Sequence, residues 1–97
     1  MKKLFSEMTK QELEAEMKQL REEIAEAEFA SQKAVLERKY YTAMAYTLDP
    51  ADFPPGAYKV EHVQLPFVVR YLNGIMAWGT IGEDEEASYP ISMITPL

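Results

Sequence analysis

Ninety-seven residues with 47% apolar side chains suffice for one compact domain or two subdomains, and the lack of cysteine excludes disulfides, thiolate chemistry and the usual zinc ligand. The net charge of −6 is uneven: residues 1–49 hold eight Lys/Arg against ten Asp/Glu, and residues 50–97 hold two against six. A duplex-binding surface needs several cations, so the C-terminal half is excluded from that role.

From the N-terminus, the chain opens at Met1 with no apolar run long enough for a signal peptide or a membrane span, which predicts a cytoplasmic protein without membrane association. Thr9 and Glu12 have the spacing of a capping box, with Met8 and Leu13 placed as a hydrophobic staple. Leu13, Met17, Leu20, Ile24 and Ala27 then step by four and three, which draws one apolar stripe along a helix. Val35, Leu36, Tyr40, Ala43, Met44 and Leu48 form a broad apolar face on a second helical stretch. A single helix of about forty residues would span roughly 60 Å, too long for so small a chain. A hairpin is expected instead, turning near Glu28–Ser31 with Ser31 capping the second helix.

Pro50, Pro54, Pro55 and Gly56 end the helices and stiffen the connector. The hydrophobic period then changes. Strands are predicted at Tyr58–Gln64, Phe67–Leu72 and Ile75–Ile81, with a shorter one around Ile91–Ile94. Asn73-Gly74 signals a type I′ hairpin turn, which would set Leu72 opposite Ile75, Tyr71 opposite Met76 and Val69 opposite Trp78. In that register one face carries Phe67, Val69, Tyr71, Met76 and Trp78. The other carries Val68, Leu72, Ile75, Ala77 and Gly79, with Arg70 its single charge. Both faces are apolar, so one is expected to fill a small barrel and the other to meet a helix or a partner.

Candidate chemistry is sparse. His62, the single histidine, lies in the first predicted strand with no orienting partner nearby, and reads as structural or surface. Glu83-Asp84-Glu85-Glu86 lacks the spaced oxygens of a calcium loop and reads as a solvated inter-strand loop. Lys33, Arg38 and Lys39 with Tyr40 and Tyr41 make the one basic-aromatic cluster, a combination that can hold phosphate and stack on bases. Tyr71 and Trp78 have the composition of a groove for proline-rich peptides, but the register assigns both to the core. No serine stands in a nucleophile motif, and neither glycine segment has the surroundings of a phosphate loop.

Several strings resemble one family over nearly the whole chain. They are Phe5-Ser6-Glu7-Met8-Thr9, Ala34-Val35-Leu36-Glu37-Arg38-Lys39, Ala45-Tyr46 with Asp49-Pro50, Pro55-Gly56 before a Tyr-x-Val strand, and Tyr71-Leu72-Asn73-Gly74-Ile75-Met76-Ala77-Trp78-Gly79. They resemble the YfhH-like family of small uncharacterised bacterial proteins. The resemblance implies an α+β fold in which an N-terminal α-helical hairpin precedes a small SH3-like antiparallel β-barrel. Members often carry a glycine between the two helices, where this chain has Ala30-Ser31. The group has been labelled as transcriptional regulators on architecture alone, so no site residues carry over.

The expected organisation is a helical hairpin over 1–49, a Pro/Gly linker over 50–56 and a barrel over 57–97, packed as one compact unit. The expected function is that of a non-enzymatic protein-interaction module, binding another protein or a second copy of itself through Val68, Leu72 and Ile75. The alternative is a transcriptional regulator contacting nucleic acid through Lys33, Arg38 and Lys39, with Lys2, Lys3 and Lys10 contributing. No cofactor or metal is expected.

Overall fold

A computed structural model describes residues 3–97; Lys2, named above for nucleic-acid contact, lies outside the described residues. The chain divides into two units, one ending at Thr47 and one running from Leu48 to Leu97. Two helices are followed by a five-stranded antiparallel sheet, which is the α+β arrangement expected.

In the first unit, helix α1 spans Lys10–Glu26 and helix α2 spans Ala30–Ala45. The capping box forms as the spacing predicts. The Thr9 hydroxyl accepts from the Glu12 amide at 3.2 Å, and the Glu12 carboxylate accepts from the Thr9 amide at 3.1 Å. Leu13 and Leu20 of the α1 stripe are buried with Ala43 of α2, and Phe5, Met8, Met17, Leu36 and Tyr40 pack around them. The turn is Ala27–Phe29. Phe29 occupies the N-cap position with no side-chain cap, so Ser31 lies inside the first turn of α2 instead of starting it. The apolar face of α2 is narrower than its composition suggests, because Val35 sits about 100° around the axis from Leu36 and is 57% exposed.

The second unit opens with a 3-10 turn at Pro50–Asp52, capped by the Asp49 carboxylate on the Ala51 amide at 2.9 Å. Tyr58 donates its hydroxyl to the Pro54 carbonyl at 2.6 Å and stacks on Phe53, tying this connector to the sheet. Strands β1 (Gly56–Val60), β2 (Phe67–Asn73), β3 (Met76–Ile81), β4 (Asp84–Pro90) and β5 (Ile94–Pro96) form the order β4-β3-β2-β1-β5. The small antiparallel sheet agrees with the expectation. Its hydrogen-bonded order runs from β4 to β5.

Four sequence-based expectations are corrected here. The β2–β3 turn is Gly74-Ile75, flanked by the pair Asn73–Met76, and not Asn73-Gly74. Gly74 has φ +60° while Ile75 stays out of the positive region, the signature of a type II′ turn. Second, β2 carries an extra residue between Val69 and Tyr71, where the register shifts. Third, the acidic run is no inter-strand loop: Asp84–Glu86 begin β4, reached through a tight turn at Gly82-Glu83. Fourth, β1 ends at Val60, and His62 lies beyond it in a turn with φ +65°.

The shift at Arg70 decides which side chains are core. Phe67, Val69, Ala77, Ile81 and Ala87 point inward and are buried with Tyr58, Val60, Ile91 and Ile94. Phe67 meets Tyr89 edge-on at 5.2 Å. Each fully buried large side chain contributes about 1.5–3 kcal/mol.

Candidate interaction surface

The outer face of the β2–β4 ribbon is built around Tyr71 and Trp78. These residues are direct cross-strand partners, with rings 6.4 Å apart and 5° from parallel, an offset stack. Tyr71 is 52% exposed and Trp78 half-buried, so the expected core placement of both is overturned. The cause is the bulge: Val69 pairs with Gly79 inside, one extra residue follows, and Tyr71 emerges on the opposite face.

Gly79 makes this geometry possible. A Cβ built there would lie 1.9 Å from the Val68 carbonyl oxygen, so only glycine admits so close an approach of β2. Arg70, the extra residue, sends its guanidinium over β3 and donates to the Glu85 carbonyl on β4. Val68 pairs with Thr80 and Trp78 with Ser88, which extends the same outer face. The β3–β4 register shifts between Gly79 and Ile81, so Glu85 and Glu86 together stand opposite the single residue Thr80. Along residues 67–90, Glu83, Asp84, Glu85 and Glu86 stand against Arg70 alone.

Of the three residues assigned to a protein interface from sequence, Val68 lies on this face and is 48% exposed. Leu72 pairs with Ala77, which is fully buried, so it belongs to the opposite face and is half-buried. Ile75 sits in the turn, also half-buried. The structure does not bring the three together.

Lys33, Arg38 and Lys39 are all exposed on α2. Helical geometry sets Lys33 and Arg38 about 140° apart, Arg38 and Lys39 about 100°, and Lys39 and Lys33 about 120°. The cations are thus splayed around the axis instead of forming one face. Lys33 instead borders an open groove of about 530 Å³ with Arg21, Ile24, Tyr40 and Tyr41. Arg21 donates to the Tyr40 hydroxyl at 3.4 Å and stands 5.9 Å above that ring. Lys10 is exposed, and Lys3 is engaged with Glu12 at 3.1 Å. Among the described residues, the Glu12 carboxyl is held below its ordinary value, first by the Thr9 amide and then by the Lys3 ammonium.

His62 is exposed and lines a groove of about 400 Å³ with Lys59, Leu65 and Thr95. Among the described residues, no group of three or more His, Asp or Glu is placed to hold a metal ion. No helix there is long and apolar enough to cross a membrane.

The bulge and the outward aromatic pair were missed from sequence. Gly79 in the interior of a strand was the available signal, because such a glycine marks a bulge or a close backbone approach.

Comparisons with known proteins cover nearly the whole chain. A family described as "Protein of unknown function (DUF1811)" matches residues 3–95. The "Uncharacterized protein YfhH" of Bacillus subtilis (strain 168) is 42% identical over 100 aligned residues, covering 97% of this chain and 96% of that relative.

Proposed function

The chain belongs to the DUF1811 family of proteins of unknown function, and from that footing we propose that it is a non-enzymatic protein-interaction module of the bacterial cytoplasm. The docking surface is the outer face of the ribbon at Val68, Tyr71 and Trp78. One observation carries this reading: an aromatic pair is stacked on the solvent side of the sheet, with half of Tyr71 open to water. Aromatic side chains of this kind supply large, rigid contact area and are enriched at the centres of protein interfaces. The chain uses a bulge and an obligatory glycine to present them outward, although the uninterrupted register would bury Tyr71.

Immobilised parent protein and its Tyr71→Ala variant, exposed to cytoplasm of the source bacterium, test the assignment. The parent is expected to retain a partner that the variant loses, with circular dichroism unchanged between them. Equal capture by a folded variant rejects the surface.

The alternative, a transcriptional regulator reading nucleic acid through Lys33, Arg38 and Lys39, has no matching support, because those cations point three ways around α2. A phosphate-tracking surface needs them on one side.

A further inference from the structure

Resting on the reading of the outer face as a docking surface, we propose that its occupant is an extended, Lys/Arg-bearing segment of a partner protein, laid along β4. A cationic side chain of that segment sits over the Tyr71–Trp78 stack.

Three observations converge on this occupant. The first is charge. Glu83, in the turn that leads into β4, and Glu85 and Glu86, at its start, are exposed, and the one cation of the ribbon, Arg70, donates within the sheet to the Glu85 carbonyl. A cationic partner gains Coulomb attraction here and a favourable approach to the aromatic faces. The same charge disfavours a second copy of this chain, whose β4 would bring three more acids to the seam with no base among its residues.

The second is backbone. β4 ends the hydrogen-bonded order of the sheet, so an added strand continues the ladder there. The third is reach. A side chain on such a sixth strand must cross β4 to arrive at Trp78 on β3, two strand spacings or about 9.6 Å. Arg70 already spans that separation, from β2 across β3 to β4. An arginine of the partner therefore has the length to reach the stack from the far side.

Trp78 is the single tryptophan of the chain, so its fluorescence reports this site alone. The probe is a nine-residue synthetic peptide alternating Arg with Thr and Val, compared with a copy bearing Glu at every Arg. The expected result is a saturable change in Trp78 emission with the Arg peptide, weakening as salt rises, and none with the Glu peptide. The variant E83Q/E85Q/E86Q, whose changes are confined to exposed side chains, is expected to bind roughly tenfold more weakly.

No emission change with the Arg peptide at millimolar concentration overturns the inference, as does unaltered binding by the triple variant. The two levels of the reading separate cleanly. A partner captured by the parent, lost by Tyr71→Ala and retained by E83Q/E85Q/E86Q removes the cationic occupant and keeps the surface. Loss of neither response to Tyr71→Ala removes both.

Discussion

At Glu12 two donors meet on one exposed carboxylate, the Thr9 amide and the Lys3 ammonium, while the Glu12 amide donates in return to the Thr9 hydroxyl. Because the folded carboxyl is held below its ordinary value, its contribution to stability is complete above the unfolded pKa. It is lost as pH falls through the lower folded value. Thermal melts between pH 7 and pH 3 should therefore show a decline that Glu12→Gln flattens; parallel curves for parent and variant would dismiss this linkage. Thr9→Ala removes the cap and should cost about 1 kcal/mol at neutral pH, read by urea denaturation. Gly79 is constrained differently. Gly79→Ala forces a methyl group into the Val68 backbone and should destabilise by more than about 2 kcal/mol, enough to lower the melting point by several degrees or more. His62, held at φ +65°, sits in the region that favours glycine, so His62→Gly should cost nothing or add up to about 1 kcal/mol of stability in the same assay.

Elements differ in how plainly the chain announces them. The α1 stripe and its capping box follow from spacing alone, because a solvated helix on a single core repeats at 3.6 residues. The hairpin turn was displaced by one residue for a local reason. Asn-Gly is the stronger statistical signal for type I′, but type II′ demands positive φ at the glycine only and lets Asn73 stay in the strand. That difference is measurable: Asn73→Thr should change stability by less than about 0.5 kcal/mol in the observed turn, whereas Gly74→Thr should cost about 1–2 kcal/mol. A large loss from Asn73→Thr would restore the type I′ reading. β4 escaped detection because its first three residues are acidic, and charge on a strand at the end of a sheet imitates a loop in composition. Gly82 at φ +57°, followed by Glu83, repeats the Gly74-Ile75 device eight residues on and was the cue to it.

For the whole molecule, the legible part was the succession of helices and sheet, and the hidden part was which sheet face looks outward. One unpaired residue at Arg70 reverses the orientation of everything after it in β2, and periodicity carries no mark of such an insertion. The candidate surface was hidden for the same reason, since Tyr71 and Trp78 were named but turned to the wrong side. Charge tells a consistent story at this scale: residues 50–97 carry six acids and two bases, which repels polyanions from the sheet unit. Replacing Lys33, Arg38 and Lys39 with Glu should leave retention on a heparin column unchanged, because those cations share no face; loss of strong retention in that variant would revive the nucleic-acid reading.

The pairing of β5 with β1 has a dynamic consequence. β1 through β4 are each hydrogen-bonded to their neighbour in sequence, whereas the three residues Ile94–Pro96 return across more than thirty positions to meet β1. Little more than Ile94 is buried there, with the Glu61 amide on the Met93 carbonyl and the Leu97 amide on the Ala57 carbonyl as flanking ties. Such a seam opens before the meander does, so amide protons of β5 should exchange with deuterium faster than those of β3, and the sheet should fray from its last strand inward.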